Sequence, residues 1–237
     1  MPPRARARAR MYDPAKTRAA VTAQLAHVRD AVRELGDERL GARLSAAVRL
    51  EDPAPSAREL TVTEWATATA APAEPETEPD PGEPLERAAA RFAELIATAP
   101  GDRLVAARGG AMRLDDFLVT RCVELIVHTD DLATATGVSI PYDRHALATA
   151  SRVLADALAA KAPGGSVEVR VPPFAVVQCV EGPRHTRGTP PNVIETAPLP
   201  WIRLATGRLP WPEAVESAQV TASGERADLS PHLPVLT

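Results

Sequence analysis

The sequence predicts an α+β protein: a helical bundle over residues 13–140, then a small α/β domain over 141–237, with a disordered basic tail over 1–12. Three observations predict it. Apolar residues recur at helical spacing in three long segments of the first part. After Pro141-Tyr142 the pattern switches to strict alternation in S-V-E-V-R-V. A run of helices followed by a run of strands separates into two units, with the boundary near Ile140.

The first helix is expected from Asp13 to Leu35, where Val21, Leu25, Val28, Val32 and Leu35 form one stripe. Asp13-Pro14 supplies an N-cap and a first-turn proline. His27 lies well off that stripe and is read as a solvated side chain without a role. Gly41–Leu50 reads as a short helix, and Asp52-Pro53-Ala54-Pro55 breaks it. A further helical stretch is expected from Thr63 to Ala71, anchored by Trp65. Pro72–Pro84 is acidic and rich in proline; it cannot bury apolar surface and is expected to be a mobile loop. Leu85–Ala99 resumes the helical period and stops at Pro100-Gly101, and a longer helix runs from Asp115 to Thr136 with Gly137 closing it. Beyond the boundary come a helix over Asp143–Lys161, strands at Val167–Val171, Phe174–Val180 and Asn192–Thr196, and a helix over Trp201–Leu209 stopped by Pro210. No internal repeat is visible.

At 237 residues the chain can bury one large or two modest cores. A formal charge of -4 gives no basic field that would draw the protein to nucleic acid. Only Arg4, Arg6, Arg8 and Arg10 are locally basic, and they lack the apolar segment of a secretion signal. No apolar run approaches the roughly 20 residues that cross a bilayer, so a cytoplasmic protein without a transmembrane segment is expected. Cys122 and Cys179 are too few and too far apart for a disulfide framework and read as buried thiols.

The chemistry-bearing segment is R-C-V-E-L-I-V-H-T-D-D. Arg121, Glu124, His128 and Asp131 are spaced i, i+3, i+7 and i+10 and fall within about 80° on a helical wheel. Leu118, Cys122, Leu125, Ile126 and Leu132 cover most of the rest. Glu124 and His128, one turn apart, can approach one metal ion from a single helix, with facing helices completing the site. The same stripe also reads as the solvent face of an apolar helix.

The segment M-R-L-D-D-F-L-V-T-R-C-V-E-L-I-V-H-T-D-D-L resembles the last bundle helix of the mycothiol-dependent maleylpyruvate isomerase family, in the DinB-like metal-binding superfamily. The resemblance implies that Glu124 and His128 are ligands of a divalent metal, usually zinc. Arg121 and Asp131 match flanking positions; there Arg121 would orient a substrate carboxylate and Asp131 would support a ligand from behind. The stretch from S-V-E-V-R-V through G-E-R-A-D-L is similar to the bacterial sterol-carrier orthologue domain that follows such bundles. The fold implied is a shortened DinB-like bundle joined to a sterol-carrier-like α/β domain.

One departure from the family pattern bears on function. Members carry a helix of pattern W-(S/T)-V-x-x-L-x-x-H whose histidine is the third metal ligand, and Gly36–Leu50 contains neither tryptophan nor histidine. Two ligands make a weak zinc site, and neither His27 nor His145 is placed to repair it. The expected function is therefore a sterol-carrier-family protein with a degenerate metal-binding bundle, holding a small apolar, lipid-like or thiol-linked ligand. The alternative is a mycothiol-dependent isomerase or transferase acting on a small electrophile through a thiolate. In the loop Glu181–Pro191, Arg184, His185 and Arg187 amid Gly and Pro form a candidate anion-binding cluster, or a solvated turn.

Overall fold

The structure is a computed structural model that describes residues 11–36, 40, 41, 44, 48, 50–68, 84–182 and 192–236. Helix α1 spans Pro14–Leu35, and the Asp13 side chain caps it by accepting from the Lys16 amide at 3.0 Å. Gly36 ends it in the left-handed conformation. Gly41 and Leu44 are helical, within the predicted short helix, and so is Leu40 just before its expected start. Helix α2 spans only Val62–Thr67. Thr61 and Glu64 form a capping box at its start, and Ala68 already has an extended backbone, so the helix stops short of the expected Ala71. Helix α3 covers Leu85–Thr98, helix α4 covers Leu114–Thr136 and helix α5 covers Arg144–Lys161.

Between α3 and α4 lies a hairpin that the sequence reading missed: β1, Leu104–Ala107, pairs antiparallel with β2, Gly110–Arg113. Four-residue strands of mixed polarity carry too little periodicity to stand out. The signal was Gly109-Gly110: Gly109 has φ +85°, and a Cβ on Gly110 would sit 2.3 Å from the Arg58 carbonyl oxygen.

In the C-terminal part, β3 (Val167–Val171), β4 (Ala175–Cys179), β5 (Val193–Thr196) and β6 (Val220–Ser223) form one sheet in the order β4-β3-β5-β6. The β3–β4 and β5–β6 pairs are antiparallel and β3–β5 is parallel. Val167, Val169 and Val171 face the interior, opposite Glu168 and Arg170, as the alternation predicts. Helix α6 spans Pro198–Ala205, three residues earlier at its start than predicted and ending before Leu209. Prolines are tolerated in a first helical turn, where the amides have no partner anyway. Gly207 at φ +74°, before Pro210, turns the chain out. The short helix α7, Trp211–Glu216, and β6 were also unforeseen.

A continuous apolar core runs from Val21 and Leu25 through Leu118, Ile126, Leu154 and Leu158 to Val169, Ile194 and Trp201. Helix α5 is its spine, in contact with α1, α2 and α4 on the bundle side and with β4 and α6 on the other. Polar ties fix the arrangement. The buried Gln24 on α1 donates to Thr129 on α4 at 2.9 Å, and its carbonyl oxygen accepts from the Asp143 amide at 2.7 Å. Trp201 donates its indole N–H to the Ser151 carbonyl at 3.1 Å. No helix among the described residues is long and apolar enough to cross a membrane.

Candidate functional site

Helix α4 packs against α1 on one side and α5 on the other, which decides where its polar stripe points. Arg121, Glu124 and His128 line one pocket, of about 60 Å³, whose apolar wall comes from Val21, Leu25 and Val28 of α1, Phe92 of α3 and Leu125 of α4. Leu44 and Val48 complete the apolar lining. Three residues singled out from spacing thus meet in a recess whose remaining surface is almost wholly apolar.

The stripe is graded in depth. Arg121 is the deepest, with its guanidinium paired to Glu124 and its centre 4.5 Å from the Phe117 ring centroid. Burial pushes the Arg121 guanidinium below its ordinary proton affinity, and Glu124 opposes that shift. Its Nε–H is enclosed without a hydrogen-bond partner among the described residues. Glu124 is part-buried, and the His128 side chain is 59 % exposed at the mouth.

Asp131 sits one turn further along, outside the pocket lining. Its Oδ2 is 3.7 Å from His128 Nδ1, longer than a hydrogen bond. Both its oxygens accept instead from Arg208, Nε at 2.6 Å and Nη2 at 2.7 Å. The neighbouring Asp130 is buried and accepts from Arg203 Nε at 2.7 Å, Arg203 Nη2 at 2.6 Å and the Tyr142 hydroxyl at 3.1 Å. Burial acts to raise the Asp130 carboxyl, but Arg203 and Tyr142 outweigh it and hold the carboxyl below its usual value. Burial, with Asp130 beside it, pushes the Tyr142 phenol up to about 12. Two consecutive aspartates on α4 thus grip two arginines of the C-terminal part. Sequence reasoning missed this clamp, because nothing local marks Arg203 and Arg208 as partners of residues more than 70 positions away.

A catalytic zinc ion usually takes three protein ligands and one open position. Here Glu124 is engaged by Arg121, His128 offers one imidazole, and among the described residues no three His, Cys, Asp or Glu side chains converge. The donor set fits zinc poorly. His27, expected in solvent, is half-buried, with Nδ1 enclosed and without a hydrogen-bond partner among the described residues, yet it is not part of the pocket wall. His145, on α5, has Nε2 enclosed in the same way. Both cysteines are buried, which pushes the Cys122 thiol up to about 12 and the Cys179 thiol up to about 11 and disfavours the thiolate. Arg184, His185 and Arg187 lie outside the described residues, as do Arg4, Arg6, Arg8 and Arg10. The space between the C-terminal sheet and its helices is occupied by Leu154, Leu158, Val169, Ile194, Trp201 and Ile202, all nearly inaccessible.

The profile of the family described as bacterial SCP ortholog matches residues 143–235. Crystal structures of the mycothiol-dependent maleylpyruvate isomerase share the fold. The enzyme is 17 % identical, with 92 % of this chain and 95 % of that one covered and a TM-score of 0.52. A histidine-to-alanine variant of it is 14 % identical over the same shares, also at 0.52. No curated protein sequence matches.

Proposed function

We propose that this chain, in which a bacterial SCP ortholog domain follows a helical bundle of maleylpyruvate isomerase-like fold, is a small-molecule-binding protein whose ligand enters the bundle pocket beside Arg121, Glu124 and His128. The observation that carries the reading is the pairing of that polar stripe with an apolar wall. A space of about 60 Å³ admits only the end of a ligand, such as a short apolar group or a thiol, and leaves the rest at the exposed mouth beside His128. Arg121 is the group suited to a ligand carboxylate, and zinc binding is weak or absent because no third donor joins Glu124 and His128 among the described residues. The bundle pocket is favoured over a sterol-carrier cavity because the sheet–helix interface is filled with side chains. The protein is expected to act in the cytoplasm on small molecules, without nucleic acid.

The likeness to a mycothiol-dependent enzyme favours a second reading, isomerisation or transfer with mycothiol as the thiol donor. With both cysteines buried, the reactive sulfur would come from the cofactor. The chain's part would be to hold the substrate at Arg121 and exclude water with Val21, Leu25 and Phe92.

NMR titration of the labelled full chain with mycothiol, and with N-acetylcysteine as a smaller thiol, tests the assignment. Shifts at Leu25, Phe92 and Leu125 that disappear in Arg121→Ala are expected. Shifts confined to the C-terminal sheet, or none at all, would overturn it. Thiol-dependent conversion of a small electrophile, abolished in Glu124→Gln, would promote the second reading to first.

A further inference from the structure

An arginine and a glutamate three positions apart on one helix are neighbours, but their shared backbone restricts how they meet. On α4 the Arg121 guanidinium is held at Nη2 by Glu124 Oε1. A carboxylate free to approach side-on grips a guanidinium through two parallel N–H donors, which is the stronger arrangement. The Nε–H that would supply the second donor has no hydrogen-bond partner among the described residues. The internal pair therefore leaves the guanidinium incompletely used.

The two members also differ in freedom. Arg121 packs on the Phe117 ring, 4.5 Å from its centroid, and its side chain is 19 % exposed. The Glu124 side chain is 30 % exposed and lies one turn from His128 at the mouth, so a change of rotamer can carry its carboxylate towards water. A part-buried guanidinium does not give up its counter-ion without another to replace it. The apolar wall of Leu25, Val28, Phe92 and Leu125 offers none, so the replacement has to come with the ligand.

We propose that Glu124 is a displaceable internal counter-ion, and that the pocket takes up a small monocarboxylate by exchange: the ligand carboxylate replaces Glu124 on the Arg121 guanidinium. The ligand engages Nη2 and Nε, its apolar end lies against Leu25 and Phe92, and Glu124 turns to the mouth. Glu124 thereby competes with the ligand and sets the affinity of the pocket for carboxylates. The inference rests on the reading of the Arg121 pocket as a ligand site.

The test is an NMR titration of the labelled full chain at neutral pH with butyrate, and with butyramide as its uncharged isostere, in the parent, Glu124→Gln and Asp131→Asn. The glutamine keeps an oxygen for the guanidinium and removes the charge. Glu124→Gln is expected to bind butyrate at least about fivefold more tightly than the parent, while butyramide binding stays within about twofold. Asp131→Asn removes a carboxylate one turn outside the pocket and should alter butyrate binding by less than about twofold, which separates exchange at Arg121 from a general gain in positive charge. Should Glu124→Gln not fold, the parent decides: butyrate should move the Glu124 side-chain carboxyl and Arg121 Nε–H signals along the same saturation curve as Leu25 and Phe92, and no such movement overturns the proposal. A smaller gain in a folded Glu124→Gln protein, or an equal gain in Asp131→Asn, also overturns it and leaves the pocket itself standing. No butyrate response in either the parent or Glu124→Gln refutes the exchange, and the mycothiol and N-acetylcysteine titrations then judge the pocket independently.

Discussion

Replacing Asp130 and Asp131 in turn with alanine compares two adjacent carboxylates with the same chemistry and different burial. Each is gripped bidentately by an arginine, but the Asp130 side chain is 6 % exposed and the Asp131 side chain 41 %. Removing one partner of a buried pair costs about 3–5 kcal/mol. Arg203 is one-third exposed and can rehydrate, so roughly 2–3 kcal/mol is expected for Asp130→Ala, the unpaired Tyr142 hydroxyl included. For a chain of this length each kcal/mol shifts the melting temperature by about 2–4 °C, which gives a loss of roughly 5–10 °C. Asp131→Ala breaks a pair in which both members are about one-third exposed or more; such pairs contribute about 0–1 kcal/mol, so the loss should stay under roughly 4 °C. The pH dependence carries a second signature. Because the folded-state Asp130 carboxyl lies below its unfolded value of about 3.9, its stabilisation is fully present above that pH and is lost as pH falls through the lower folded value. Asp130→Ala should therefore lose less stability than the parent between about pH 4 and the acid limit. Thermal melts followed by far-UV circular dichroism read both effects. An Asp131→Ala loss equal to or larger than that of Asp130→Ala would refute the burial argument.

Other outcomes follow from the same structure. Glu124→Ala leaves the part-buried Arg121 guanidinium without its partner, so it should destabilise more than the double variant Arg121→Ala/Glu124→Ala, as a double-mutant cycle of denaturant melts would show. Leu118→Ala, at a fully buried position of α4, should cost about 2–5 kcal/mol by urea denaturation, and a loss under roughly 1 kcal/mol would place Leu118 outside the core. Cys122 and Cys179 should resist a thiol-specific reagent at neutral pH until the chain unfolds, since burial raises both thiols; rapid labelling of the native protein would contradict their placement. A domain boundary near Ile140 is proposed because the family match begins at residue 143. A fragment over 141–237 should give a dispersed NMR spectrum but melt below the full chain, because it uncovers the side of α5 that packs on α4; an undispersed spectrum would move the boundary.

Long amphipathic segments were legible in the sequence because their pattern is set by the face they bury. Helices α1 and α4 were read to within a residue, and Val167, Val169 and Val171 declared β3 by alternation. Short elements escaped: β1, β2, α7 and β6 span four to six residues each, too few for a period to emerge. The start of α6 was missed because Pro198 and Pro200 look like breakers when they in fact occupy the tolerant first turn. In the pocket, Arg121, Glu124 and His128 were found because helical spacing puts them on one face. The role expected for Asp131 as a support for His128 belongs to an arrangement in which nothing else competes for its oxygens, whereas Arg208 takes both. Partners supplied from distant sequence, like Arg203 and Arg208, leave no local trace.

The central claim is that the Arg121–Glu124–His128 pocket receives a small ligand without functioning as a zinc centre. Metal analysis of the full chain, loaded with zinc and then dialysed against EDTA, tests it most directly, with His128→Ala treated in parallel. The account predicts that the two proteins retain equally little zinc and keep the same fold. About one zinc per chain held by the parent and lost by His128→Ala would contradict it, because retention of that kind requires a complete ligand set.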